Sequence, residues 1–143
     1  MSKKTAKLIW EGHGLAFTGT GGSGFSLRFD NPAGPNAASA MELVALASGG
    51  CTAADVISIL QKKQQRVTGF QVNVVGLRAT EYPKVFTEID LEYVVTGHNL
   101  DPKAVERAIE LSLTKYCSVN NMLEHSVKIN GHHRIEEAQA VAV

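Results

Sequence analysis

The stretch Ser39-Ala-Met-Glu-Leu-Val-Ala-Leu-Ala-Ser-Gly-Gly-Cys-Thr-Ala-Ala-Asp-Val-Ile-Ser-Ile-Leu60 decides the fold. Ser39 and Glu42 have the spacing of a capping box, in which the serine hydroxyl and the glutamate carboxylate satisfy each other's backbone N–H groups. The helix they open carries Leu43, Val44, Leu46, Ala47, Ala54, Ile57 and Leu60, and is apolar nearly all round. It ends in Gln61-Lys-Lys-Gln-Gln-Arg66, where cations suit the negative end of a helix. Glu42, Ser48, Thr52, Asp55 and Ser58 argue against a bilayer span, since a central carboxylate costs about 2.5–3.5 kcal/mol in a membrane. A helix buried by protein on most sides is expected instead. One small sheet cannot cover it all round, which predicts a homodimer with two such helices packed together; a deep monomeric core is the alternative.

Working outward, residues 1–30 read as short N-terminal strands. Ala6, Leu8 and Trp10 alternate with Lys7 and Ile9, and strands over Leu15–Thr18 and Phe25–Phe29 are separated by Gly-Thr-Gly-Gly-Ser-Gly. Residues 31–38, with two prolines and a glycine, form a loop. The central helix is assigned to 39–64. Strands and helices follow over 67–135. Phe70, Val72 and Val74 alternate with polar residues; Ile89, Leu91, Tyr93 and Val95 alternate with Glu88, Asp90 and Glu92. The second pattern is that of an antiparallel strand wet on one face. Asp101-Pro102 is a helix start. A short helix is predicted over Ser118–His125, a last strand at Val127 and Ile129, and a frayed tail over 136–143.

The chain has 143 residues, 44% hydrophobic and 20% charged, with zero formal net charge. That fits one α+β domain. No basic stripe supports nucleic-acid binding, and neither the N-terminus nor the central helix reads as a membrane segment. Two cysteines, Cys51 and Cys117, are more often redox-active or simply buried than structurally bridged in a reducing compartment, so a cytoplasmic location is expected. Cys51 follows Gly49-Gly50, and two glycines inside a helix cost roughly 1 kcal/mol each against alanine, so something needs the room. Cys117 stands where one helical pattern stops and another begins; at a helix start its thiolate is favoured. Both thiols also read as small packed hydrophobes. Glu42 can simply cap its helix. Asp55 lies one turn after Cys51 and reads as a structural hydrogen-bonding group. His132-His133 and the cysteines lack metal-ligand spacing, so no metal and no cofactor are expected.

At Met41-Glu-Leu-Val-Ala-Leu-Ala-Ser-Gly-Gly-Cys-Thr-Ala-Ala-Asp-Val56, joined to Lys115-Tyr-Cys-Ser-Val119, the chain resembles the OsmC/Ohr family, osmotically inducible protein C and organic hydroperoxide resistance proteins. It is most similar to the bacterial OsmC-like branch of uncertain role. The resemblance implies the OsmC-like fold over 1–143: antiparallel sheets, a long buried central helix and an intertwined homodimer. It also implies thiol-dependent reduction of organic hydroperoxides. Cys51 would attack the peroxide, Cys117 would close a disulfide, and a small thiol or dithiol would restore both. Catalytic roles then fall to Cys51, Cys117 and Glu42. The family's loop arginine has no counterpart in Glu11-Gly-His-Gly14, where His13 stands instead; Arg28 is the nearest arginine of the N-terminal strands. A non-enzymatic thiol sensor or ligand-binding dimer, or a structural dimer with cysteines as core fillers, is the alternative on the same scaffold.

Overall fold

The computed structural model describes residues 2–139. The contacts within the chain gather into two compact units that divide after Val44. The first unit holds a three-stranded antiparallel sheet, β1 (Ala6–Trp10), β2 (Phe17–Gly21) and β3 (Ser26–Phe29), in the order β1-β2-β3. Strand β2 runs straight through Gly19-Thr20-Gly21, part of the stretch expected to separate two strands. A Cβ at Gly19 would sit 2.7 Å from the Phe29 ring, so only glycine lets β3 pair there. Glu11, just after β1, accepts two hydrogen bonds from the Arg28 guanidinium, at 3.0 Å from Nε and 2.8 Å from Nη2, and one from Thr18. These donors, Arg28 first, hold the Glu11 carboxyl below its usual range.

Helix α1 (Ala40–Lys62) begins as the sequence dictates. Ser39 Oγ accepts from the Glu42 N–H at 3.1 Å, and the Glu42 carboxylate accepts from the Ser39 N–H at 3.0 Å. Gln64, in the left-handed region at φ 55°, stops the helix. The face that α1 buries within the chain is a stripe of Ser48, Gly49, Thr52, Val56 and Leu60. The helix is long and apolar enough to cross a membrane by length and composition. Its polar residues Ser48, Thr52 and Asp55 instead bond to protein partners, as in the core helix of a soluble fold.

The second unit holds β4 (Arg66–Arg78), β5 (Phe86–His98) and β6 (Lys128–Glu137), in the order β4-β5-β6. Ile89, Leu91, Tyr93 and Val95 of β5 are fully buried, and each large apolar side chain so buried contributes about 1.5–3 kcal/mol. The acidic face is satisfied by its neighbours: Glu88 takes Asn130, Asp90 takes His132, and Glu92 takes Asn73. The alternation on β5 therefore reads correctly, but the expectation of purely antiparallel sheets does not hold. Strand β6 pairs parallel with β5, from Glu88↔Lys128 to Gly97↔Glu137. The crossover explains it: α2 (Pro102–Leu111), a wide π turn at Ser112–Tyr116 and α3 (Ser118–Leu123) bring the chain back to the start of β5, the long connection a parallel pair needs.

The last strand is also longer than expected. Glu136 and Glu137 belong to it, and the Ala138 N–H donates to the Gly97 carbonyl at 2.7 Å, so 136–138 are not the frayed tail expected there; the rest of that expectation, over 140–143, lies outside the described residues. Asp101 caps α2 by accepting from the Lys103 N–H at 3.0 Å, with Pro102 opening the helix.

Candidate functional site

The site is built on α1 and on the junction between the π turn and α3. Gly49 explains one of the two glycines before Cys51. A Cβ there would lie 2.7 Å from Val74 Cγ2, so Gly49 is what lets α1 settle on β4. A Cβ at Gly50 would meet nothing within 4 Å among the described residues, so no contact there accounts for this glycine. Cys51 is partly exposed beside the buried stripe, and Cys117 is fully buried; both are free thiols.

Cys117 is positioned from both sides. Its N–H donates to the Ser112 carbonyl at 2.8 Å, the five-residue span that closes the π turn. Its sulfur is the N-cap acceptor of α3, taking the Asn120 backbone N–H at 3.4 Å and the Asn120 side-chain Nδ2 at 3.2 Å. Asn120 is itself pinned to α1. Its Oδ1 accepts from Ser48 Oγ at 2.6 Å, and Nδ2 donates to the Ser48 carbonyl at 3.0 Å. Reversing the amide would set its oxygen against the Ser48 carbonyl, so these contacts determine its orientation.

A second chain of hydrogen bonds runs on the other side of Cys51. Ser112 Oγ donates to Asp55 Oδ2 at 2.9 Å, Thr52 Oγ1 lies 2.7 Å from Ser112 Oγ, and the Tyr93 hydroxyl lies 2.8 Å from Thr52 Oγ1. Each hydroxyl has one proton. Because Ser112 spends its proton on the carboxylate, Thr52 must donate to Ser112, and Tyr93 to Thr52. Asp55 thus sets the direction of the whole chain. Thr52 and Ser112 are fully buried, and no buried side-chain polar atom among the described residues lacks a partner. Asp55 also opens on a groove of about 310 Å³ shared with Lys62 and Tyr116.

Electrostatics separates the groups. Burial pushes the Cys117 thiol up to about 11; the Asn120 backbone N–H pulls it down, and hydrogen bonding and charge at Cys51 push it up again. The expectation that a helix start favours the Cys117 thiolate is therefore corrected: desolvation outweighs two weak donors and the dipole of one short helix. The same interaction with Cys51 marks the two thiols as neighbours. Tyr93 is pushed up to about 12, by burial first and then by the charges of Cys117 and Asp55.

Of the residues singled out in the sequence, Cys51 lies near enough to Cys117 to raise its pKa, and Asp55 accepts a hydrogen bond from Ser112. The recorded hydrogen bonds of Glu42 are both to Ser39. His13 is exposed, 3.8 Å from the Glu11 carboxylate that also holds Arg28. His132 is tied to Asp90. Sequence reasoning missed Asn120, Ser112, Thr52 and Tyr93. A signal was present in the polar residues Ser48, Thr52 and Asp55, spaced three to four apart along an apolar helix, because polar groups on a buried face need partners from elsewhere.

Comparison with known proteins shows the class to which this fold belongs. The family model described as OsmC-like protein matches residues 33–131. Protein YhfA of Escherichia coli (strain K12) is 44% identical over 133 residues, covering 93% of this chain and 98% of the relative. The chain belongs to the OsmC-like family. The crystal structure of a hypothetical protein from Aquifex aeolicus VF5 is 29% identical with a TM-score of 0.85, covering 97% of this chain and 100% of that one. An organic hydroperoxide resistance protein from Elizabethkingia anophelis shares the fold at a TM-score of 0.67 and 11% identity, covering 96% of this chain and 98% of that one.

Proposed function

We propose that this chain is a thiol-dependent reductase of organic hydroperoxides that uses Cys51 and Cys117 as its reacting pair. The observation that carries the reading is the neighbouring pair of free thiols with unlike surroundings: Cys51 partly exposed on α1, Cys117 fully buried at the cap of α3. The Cys51 thiolate attacks the distal peroxide oxygen. With one proton taken up, the alcohol leaves and Cys51 becomes a sulfenic acid. Cys117 then condenses with it, releasing water and forming the disulfide. Two equivalents of a small thiol, or one dithiol, return both sulfurs to thiols and leave as disulfide.

The catalytic assembly in this reading is a homodimer in a reducing compartment, the cytoplasm. Its support is apolar side chains left exposed in each unit taken by itself: Leu8, Ile9 and Trp10 on β1 of the first, and Leu46 on α1 in the second, are each more than half exposed. Such a surface is expected where a second copy docks. Sedimentation at micromolar concentration is expected to show a dimer, and a stable folded monomer would overturn that part.

A specific observation favours a second reading, a thiol redox sensor that reacts without efficient turnover. The Arg28 guanidinium is held by the Glu11 carboxylate, and the His13 ring lies 3.8 Å from that same carboxylate. Hydroperoxide consumption with a thiol reductant separates the two. As an enzyme, the wild type turns over; Cys51→Ser abolishes consumption; Cys117→Ser allows one turnover per site and stalls with oxidised Cys51. Oxidation of the pair without turnover identifies the sensor. Equal activity in wild type and Cys51→Ser overturns the enzyme reading.

A further inference from the structure

The reductive half of the cycle presents a choice that the oxidative half does not: which sulfur of the Cys51–Cys117 disulfide an external thiol attacks. In thiol–disulfide exchange the attacked sulfur must be reached along the S–S axis, and the other sulfur departs carrying negative charge. Access answers the first requirement outright, and at Cys117 two donors answer the second by opposing the cost that burial puts on a charge there. Cys51 is partly exposed, whereas Cys117 has no exposed surface for a nucleophile to reach. Two N–H groups, the backbone and side chain of Asn120, converge on the Cys117 sulfur at 3.4 and 3.2 Å.

From this geometry we propose that external thiol attacks Cys51, that Cys117 is the leaving sulfur, and that Asn120 is a catalytic residue that stabilises the charge appearing on it. The proposal rests on the reading that this pair cycles through a disulfide. The exchange balances as follows. A thiolate R–S⁻ bonds to the Cys51 sulfur, the S–S bond breaks, and its electron pair leaves on Cys117. Cys117 then takes a proton from water. A second thiolate attacks the R sulfur of the mixed disulfide, releasing R–S–S–R and the Cys51 thiolate.

The need for such a group follows from burial. Desolvation makes a thiolate at Cys117 costly, and a poor leaving thiolate slows exchange. Donors already aimed at the sulfur lower that cost without reorganising during the step. Ser48 supplies the aim. By holding both the oxygen and one N–H of the Asn120 amide, it leaves the second N–H only the Cys117 sulfur to face.

The test starts from the full-length protein oxidised with diamide, which converts a close dithiol to a disulfide without a peroxide. A brief exposure to 2-mercaptoethanol is quenched in denaturant with N-ethylmaleimide, and the peptides are mapped by mass spectrometry. The expected product carries 2-mercaptoethanol on Cys51 and maleimide on Cys117, by about ten to one or more. The reverse pattern, or an even split, overturns the proposal. Asn120→Leu, close in size but without the donor, is expected to slow reduction by about tenfold or more and, in a Cys51→Ser background, to raise the Cys117 pKa measured by thiolate absorbance. Merely loosened packing would admit water and lower that pKa; this result or an unchanged rate overturns the assignment to Asn120. If Asn120→Leu does not fold, Asn120→Ala removes the side-chain donor without adding charge and serves the same two measurements, and the mapping on the wild type stands by itself. Failure of diamide to form the disulfide overturns this proposal and the proposed function together. A disulfide formed by diamide in a protein that consumes no hydroperoxide overturns the proposed function alone.

Discussion

The hydroxyls of Thr52 and Ser112 meet at 2.7 Å, although 60 residues separate them in the chain. Thr52 follows Cys51, and the Ser112 carbonyl holds the Cys117 N–H. One hydrogen bond therefore ties together the two segments that carry the thiols.

Removing that tie has a defined cost. Thr52→Val keeps the shape but leaves the buried Tyr93 hydroxyl without its acceptor and deprives Ser112 of its donor. A loss of about 1–3 kcal/mol is expected from the unsatisfied group, measured by urea denaturation. In peroxide-treated protein, the yield of Cys51–Cys117 disulfide should fall with it.

The two glycines before Cys51 should respond in opposite directions. Gly49→Ala drives a methyl against Val74 Cγ2 and should destabilise by about 1–3 kcal/mol, with partial recovery in the Gly49→Ala/Val74→Ala double variant. Gly50→Ala meets open space and should gain up to about 1 kcal/mol from helix propensity. If Gly50→Ala instead weakens self-association, measured by sedimentation, Gly50 serves the contact between two copies.

Stability should be lost on the alkaline side. The Cys117 thiol goes from 9.0 to about 11 on folding, and the Tyr93 hydroxyl from 10.0 to about 12. Above pH 9 the unfolded chain releases protons that the folded chain keeps, so unfolding becomes easier as pH rises. The contribution of Cys117 is fully present below pH 9 and gone above about 11; that of Tyr93 disappears between 10 and about 12. Denaturation midpoints between pH 8 and 11 check this, and Cys117→Ala should flatten the first part of the fall.

Glu42→Gln separates capping from chemistry. Glutamine keeps the capping-box geometry, so a Glu42 that only caps its helix leaves both melting temperature and hydroperoxide consumption close to wild type. A large fall in consumption at unchanged stability would assign Glu42 a part in activating Cys51. Ser39→Ala should cost about 0.5–2 kcal/mol in either case.

The order and type of nearly every element were legible in the sequence, because they follow from local rules. Ser39 and Glu42 open α1, Asp101-Pro102 opens α2, and the alternation of Ile89, Leu91, Tyr93 and Val95 marks β5 and its buried face. Where the reading fell short, a distant partner decided. Gly19 reads as a loop residue until Phe29 lies across it. The Glu136 end of β6 reads as tail until β5 offers it a ladder.

The sequence by itself determined the family, the capped start and apolar character of α1 and the buried face of β5, since motif, capping and periodicity are properties of neighbouring residues; that α1 buries only one stripe within the chain, where burial on most sides was expected, was decided by the fold. Only the tertiary structure decided that β6 runs parallel to β5, that Gly49 makes room for Val74, and that Ser48 aims Asn120 at Cys117. It also decided that Cys117 keeps its proton, against the favour its place at a helix start implied. Desolvation depends on everything packed around the sulfur, and no stretch of chain around Cys117 specifies that surrounding on its own.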